Sequence, residues 1–125
     1  MDDRTIRISD AELQLLQLLW DESPLGAAEI AQRVKPARQW SLATVKTLLS
    51  RLLAKGAIAA EAEGRRFRYR PAIDRESVAG HQADRLVDRL FGGRVSPLVA
   101  QLVEQRDIDP ADLEELEALV RSLRK

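Results

Sequence analysis

Cysteine is absent from the chain. That excludes a disulfide framework, thiolate metal sites and a cysteine nucleophile, and it fits a reducing compartment. Histidine occurs once, at His81. One imidazole among scattered carboxylates is too little for a metal site and reads as a surface or interface residue. No apolar run approaches the ~20 residues of a membrane span, so no membrane insertion is expected. The polar start, Met1-Asp2-Asp3-Arg4, lacks the apolar core of a signal peptide, and the expected compartment is the cytoplasm. There is no internal repeat and no low-complexity tract. Gly92-Gly93 has no phosphate-loop pattern around it and reads as a helix stop. Ser41 and Ser50 have no histidine base in the pattern. Asp112, Glu114, Glu115 and Glu117 are most simply a solvated helix face. No catalytic residue, metal site or cofactor is expected, and the chain does not read as an enzyme.

Net charge is missing too: 20 basic residues balance 20 acidic ones. Taken alone, neutrality argues against a nucleic-acid binder. The distribution argues the other way. Between Arg33 and Arg70 stand Arg33, Lys35, Arg38, Lys46, Arg51, Lys55, Arg65, Arg66, Arg68 and Arg70, against only Glu61 and Glu63. Ten cations and two anions leave +8 in 38 residues, and −8 for the remainder. Two opposed blocks allow one face to bind a polyanion. The plainer alternative is a solvated charged surface.

What is present is globular: 45% hydrophobic and 32% charged residues exclude wholesale disorder. The 125 residues suit one domain with an appendage, or two very small domains. Ser9-Asp10-Ala11-Glu12 is a capping box, because the serine oxygen can accept from the third helical N–H and Glu12 can reach back to the Ser9 N–H. Leu13, Leu15, Leu16, Leu18, Leu19 and Trp20 then give a helix apolar on more than one face, ended by Asp21-Glu22-Ser23-Pro24. A second helix follows Gly26 with Ala27, Ile30, Ala31 and Val34, closed by Pro36. Ser41 caps a third helix to about Lys55, with Gly56 as its left-handed stop. Val45, Leu48, Leu49 and Leu52 recur on its inner side. A period of two then predicts a hairpin over Ala57 to Arg70, turning at Gly64 and ending at Pro71, with Ile58, Phe67 and Tyr69 on the inner face. From Asp74 the helical period returns with Val78, Leu86, Val87, Leu90 and Phe91. Ser96-Pro97 predicts a helix start carrying Leu98, Val99, Leu102 and Val103. Asp109-Pro110 starts a last helix with Leu113, Leu116, Leu119, Val120 and Leu123.

Helices two and three make a helix-turn-helix candidate. With its leucines inward, the third helix turns Ser41, Ala43, Thr44, Lys46, Thr47, Ser50 and Arg51 outward. That face is short, hydroxyl-rich and free of acid, and suits the ~12 Å major groove. Its cations can contact phosphate or guanine, and its hydroxyls phosphate or base edges. The hairpin adds Arg65, Arg66, Arg68 and Arg70 as a wing. Arg65 and Arg66 are best placed to touch the DNA backbone or minor groove. The expected fold class is mainly α with a small β-hairpin: a winged helix-turn-helix over 1–73 and three helices over 74–125. The latter segment is near the size where a single core is marginal. Pairing of two copies would bury Leu86, Leu90, Phe91, Leu98, Leu102, Leu116 and Leu119. The alternative is that these helices fold back on the first domain. A winged helix binding protein instead of DNA, and a small hydrolase, are the other readings. The first needs a partner over Lys46, Arg51, Arg65 and Arg66, and the second needs an acid/base or metal cluster that the sequence does not offer.

Ile8-Ser9-Asp10-Ala11-Glu12, Leu19-Trp20, Trp40-Ser41, Thr44-Val45-Lys46-Thr47-Leu48-Leu49-Ser50-Arg51-Leu52, Lys55-Gly56, and Leu90-Phe91-Gly92-Gly93 with Ser96-Pro97-Leu98-Val99 closely resemble the penicillinase-repressor family (BlaI/MecI/CopY type) from about Ile8 to Leu123. The resemblance implies a bacterial homodimeric repressor on double-stranded operator DNA, with a winged-helix domain and a helical dimerisation domain. It implies control of genes for antibiotic resistance, a penicillin-binding protein or copper homeostasis. In antibiotic-responsive members a membrane-bound sensor metallopeptidase triggers cleavage in the dimerisation domain. Gln101-Leu102 matches that scissile position and departs from the family's best-known Asn-Phe pair. The missing C-terminal cysteine cluster excludes the copper-sensing mode. Gly26 replaces a frequent threonine or serine cap, and Ala43 a frequent lysine or other polar residue.

Overall fold

A computed structural model describes residues 7–124. The polar start Met1-Asp2-Asp3-Arg4 and the terminal Lys125 lie outside the described residues. Among them the elements run α1 (Asp10–Asp21), β1 (Leu25–Gly26), α2 (Ala27–Val34), α3 (Leu42–Lys55), β2 (Ile58–Glu63), β3 (Arg66–Pro71), α4 (Arg75–Phe91), α5 (Val95–Gln105) and α6 (Pro110–Leu123). The chain divides into two compact units, Met1–Gln82 and Ala83–Lys125.

The first unit closes α1, α2 and α3 over one core. Leu15, Leu16, Leu19, Ile30, Val45, Leu48, Leu49 and Leu52 are its centre, with Leu25, Val34, Ala57 and Ile58 around them. The local signals fall where the residues place them. Ser9 Oγ accepts from the Glu12 N–H at 3.1 Å, and the Ser9 N–H donates to Glu12 Oε1 at 2.8 Å. Ser41 caps α3, and Gly56 ends it at φ 77°, a conformation cheap only for glycine. At Gly26, which has no side chain to cap α2, the Glu29 carboxylate takes the backbone N–H at 3.0 Å.

The sheet has three strands, not the two of the expected hairpin. Its order is β1-β3-β2, all antiparallel. Leu25 pairs with Tyr69 and Gly26 with Arg68, so the chain between α1 and α2 is stitched to the far side of β3. The inner face also differs from expectation. Ile58 is buried and Tyr69 half-buried against the core, but Phe67 is 54% exposed. The hairpin runs past the end of the core, and Phe67 sits on the overhang.

The first turns of α4 pack with this unit. Ser77 N–H is capped by Asp74 Oδ1 at 2.8 Å. Arg75 pairs with Asp21 at 2.8 Å and lies over the Trp20 ring, while Trp20 Nε1 donates to the Ile73 carbonyl at 2.9 Å. Val78 is buried.

In the second unit, Gly92 and Gly93 end α4 at φ 59° and 80°. α5 begins at Val95 with Arg94 at its cap position, not at the expected Ser96-Pro97. Pro97 therefore falls inside the first turn, where the N–H groups have no helical partner and proline does little harm. α6 begins as expected, with Asp109 Oδ1 accepting from the Ala111 N–H at 2.9 Å. Neither α5 nor α6 contains a buried residue.

Among the described residues of the first unit, one charged side chain is buried. Glu12 is 1% exposed, and its Oε1 takes the ammonium of Lys55, which also donates to the Arg7 carbonyl. Burial is the largest influence on this carboxyl and pushes it up. The Lys55 ammonium and the Ser9 donors outweigh that and hold it below the ordinary glutamate range. A depressed folded-state pKa contributes stability above the unfolded-state range, and the contribution is lost as pH falls through the folded value. Glu12→Gln is expected to cost about 1–3 kcal/mol in denaturant unfolding at neutral pH. It should also shrink the loss of stability below the ordinary glutamate range. An unchanged acid limb would contradict this assignment.

Candidate nucleic-acid interface

The core decides which side of α3 is available. Val45, Leu48, Leu49 and Leu52 are buried, while Ser41, Ala43, Thr44, Lys46, Thr47, Ser50 and Arg51 are all exposed. The face is the one the spacing predicts. Its hydroxyls are partly engaged already. Ser41 Oγ accepts from the Thr44 N–H at 3.1 Å and lies 3.1 Å from Thr44 Oγ1. Thr47 Oγ1 donates to the Ala43 carbonyl at 3.0 Å. Thr47 thus keeps acceptor capacity but has committed its proton. Lys46 and Arg51 are the charges of this face, and among the described residues neither forms an ion pair.

Charges of the basic block divide sharply. Arg33 donates from Nε and Nη2 to Glu22 at 3.0 and 2.9 Å. That bond holds the Glu22 carboxyl below its usual range and raises the guanidinium of Arg33. Lys55 is held by Glu12. Arg70 meets Glu61 at 2.6 Å. Arg68 is half-buried: it donates to the Pro24 carbonyl at 2.9 Å and stands 3.5 Å from Glu63 and 3.9 Å from Glu29. Four of the ten cations are therefore committed to carboxylates of this chain. Glu12, Glu22 and Glu29 lie outside the Arg33–Arg70 window in sequence, so the window overstated the free charge.

Six cations remain: Lys35, Arg38, Lys46, Arg51, Arg65 and Arg66. Among the described residues none of them has an ion pair. Lys35 and Arg38 lie between α2 and α3, ahead of the Ser41 cap. Arg38 stands over the Trp40 ring, 5.4 Å from its centroid, which the spacing Arg-Gln-Trp could have signalled. Lys46 and Arg51 lie on α3. Arg65 lies in the hairpin turn, after Gly64 at φ 64°, and Arg66 opens β3. Arg68 and Arg70 share the face of β3 that carries Arg66, but each is paired with a carboxylate: Arg70 with Glu61 on β2, and Arg68 with Glu63 of the hairpin and Glu29 of α2. The free cations mark three places: the turn before α3, the outer face of α3, and the hairpin tip.

The expected dimer residues lie on the helices of the second unit. Leu90, Leu102, Leu116 and Leu119 are exposed, and Leu86, Phe91 and Leu98 half-buried. Gln101-Leu102 falls inside α5 with both side chains exposed. His81 is half-buried on α4. Among the described residues no group of three His, Cys, Asp or Glu could hold a metal ion.

A family model described as penicillinase repressor matches residues 8–122. The penicillinase repressor of Bacillus licheniformis is 30% identical over 88% of this chain and 86% of its own length. The methicillin resistance regulatory protein MecI of Mammaliicoccus sciuri is 28% identical over 93% of this chain and 94% of its own. A solution structure of the Bacillus licheniformis BlaI monomeric form in complex with the blaP half-operator superposes with a TM-score of 0.50. It is 38% identical, covering 58% of this chain and 88% of that one.

Free and committed arginines should separate in salt titrations on duplex DNA. Arg65→Ala/Arg66→Ala is expected to lower the slope of log K against log salt by about 0.9 for each phosphate left without its cation. Arg70→Ala should leave that slope unchanged. Equal effects from the two sets would contradict the division.

Proposed function

This chain belongs to the penicillinase-repressor family, DNA-binding transcriptional repressors and not enzymes, and we propose that it is a homodimeric bacterial repressor that binds a palindromic operator through its winged helix-turn-helix. The observation that carries the reading is the exposed, acid-free face of α3 with uncommitted Lys46 and Arg51, accompanied by uncommitted Arg65 and Arg66 at the hairpin tip. In this reading α3 enters the major groove with Ser41, Ala43, Thr44, Lys46, Thr47, Ser50 and Arg51 toward the DNA. The N-terminus of α3 offers its free N–H groups to a phosphate. Residues 1–73 are the DNA-binding domain and 74–125 the dimerisation domain. The compartment assigned in this proposal is the cytoplasm, where the operator DNA lies.

A second copy is the partner that the C-terminal helices call for. α5 and α6 expose Val99, Leu102, Val103, Leu113, Leu116, Leu119, Val120 and Leu123, more apolar surface than a soluble pair of helices keeps wet. A two-fold dimer through these positions, with Leu86, Leu90, Phe91 and Leu98, covers them and presents two α3 helices to half-sites about 10 base pairs apart or a multiple of it. BlaI of Bacillus licheniformis has been described as a monomer on a half-operator, and each protomer here is assigned one half-site in the same way.

The target genes in this proposal are those of β-lactam resistance or cell-envelope stress. Induction proceeds by proteolysis at Gln101-Leu102, set off directly or indirectly by a membrane-bound sensor metallopeptidase. That bond lies within α5, so the helix must open locally before a protease can take it. The cut detaches α6 and removes the avidity of two linked DNA sites.

Two measurements test the proposal. Footprinting on the gene's own upstream region should show salt-sensitive protection of a palindrome, abolished in Lys46→Ala/Arg51→Ala. Protection no better than on random DNA would contradict autoregulation, and failure on genomic fragments would favour a protein-binding winged helix. In sedimentation, Leu116→Glu/Leu119→Glu should convert dimer to monomer and weaken operator binding about a hundredfold. A dimer that survives these changes would place the interface elsewhere.

A further inference from the structure

Phe67 is a ring that the fold of its own unit leaves uncovered. On β3 it shares a face with Tyr69 and Pro71, and the ladder sets these opposite Ala62, Ala60 and Ile58. That face enters the core at Ile58, and Tyr69 packs against it. One step nearer the tip the core has ended: Ala62 is exposed, and Phe67 is 54% exposed. A single exposed apolar side chain is ordinary on a protein surface, so exposure by itself says little.

The neighbouring charge adds the second observation. Arg65 and Arg66, directly before the ring, have no ion pair among the described residues. Arg68 and Arg70, directly after it, are occupied by Glu63, Glu29 and Glu61. The ring therefore stands at the end of the hairpin, next in sequence to the cations the chain keeps free, with Arg65 in the turn and Arg66 on the other face of the strand. A surface of this kind fits a partner that alternates apolar and anionic groups at short spacing. The deoxyribose-phosphate backbone is such a polymer, and in a duplex its sugars are accessible while its bases are stacked away.

We propose that Phe67 packs on the deoxyribose edge of the operator backbone while Arg65 and Arg66 hold the adjoining phosphates. The inference rests on the DNA-binding reading and deepens it by assigning the wing an apolar contact that does not depend on base sequence.

The test titrates the full-length wild type and Phe67→Ala on the gene's upstream duplex and on a random duplex of equal length, across a salt series. The expected result is a loss of about three- to tenfold on both duplexes, from the apolar area no longer covered. The salt slope should not change, because no cation is removed. Melting temperature and oligomeric state should match wild type, and Phe67→Leu should recover part of the affinity. Wild-type affinity in Phe67→Ala would overturn the inference. So would a loss confined to the operator, which means a base contact; a lowered melting temperature, which means internal packing; or a shift to monomer, which means that a second copy covers the ring. If wild type binds neither duplex in a salt-dependent way, the repressor reading falls as well. If wild type binds and Phe67→Ala equals it, only this inference falls.

Discussion

Val45, Leu48, Leu49 and Leu52 are buried along one side of α3, and the orientation of that helix follows from them. Burying one such side chain contributes about 1.5–3 kcal/mol. Rolling α3 by a single residue position would exchange buried leucines for Lys46, Thr47 or Arg51, at a cost no surface contact repays. The outward face is thus set by the inward one. Both ends of α3 are also pinned, by the Ser41 cap and by the αL turn at Gly56. Lys55, one residue before that turn, reaches Glu12 beneath the start of α1. The helix presents its polar face from a frame that cannot easily rotate, which holds its exposed side chains in fixed relative positions.

Neutral net charge conceals how the charges are used. Arg33, Lys55, Arg68 and Arg70 are neutralised by acids brought close only in the fold, some of them far away in sequence. These pairs join α1 to α2, α1 to α3, and β2 to β3. The cations left over stand on the turn before α3, on its outer face and at the hairpin tip. Structural and free charges occupy different places, so the surface for a polyanion is smaller and sharper than the sequence window suggests.

Much of this was legible in the residues. Both capping serines, the Gly56 stop, the leucine stripe of α3 and the Asp109-Pro110 start carry strong local chemistry, and local chemistry is what a sequence displays. The misses share a different cause. β1 is two residues long, too short for any alternation, and exists because β3 offers it an edge. Phe67 obeys the period of two, but period says which face a residue joins and not how far the core extends beneath it. The start of α5 has no capping side chain at Arg94, so the nearby Ser96-Pro97 was a false signal. The commitment of Arg68 depends on Glu29 and Pro24, which reach it only across the sheet. For the α3 face itself, spacing alone was enough.

The central claim is that the outer face of α3 and the hairpin tip meet DNA while α1 does not. An NMR titration of the full-length, isotope-labelled protein with a duplex from its own upstream region tests this residue by residue. The account predicts that amide shifts concentrate on Ser41, Ala43, Thr44, Lys46, Thr47, Ser50 and Arg51, with a second group at Gly64 to Phe67, and that α1 stays nearly still. Shifts that gather on α5 and α6, and leave α3 and the hairpin tip unmoved, would contradict it.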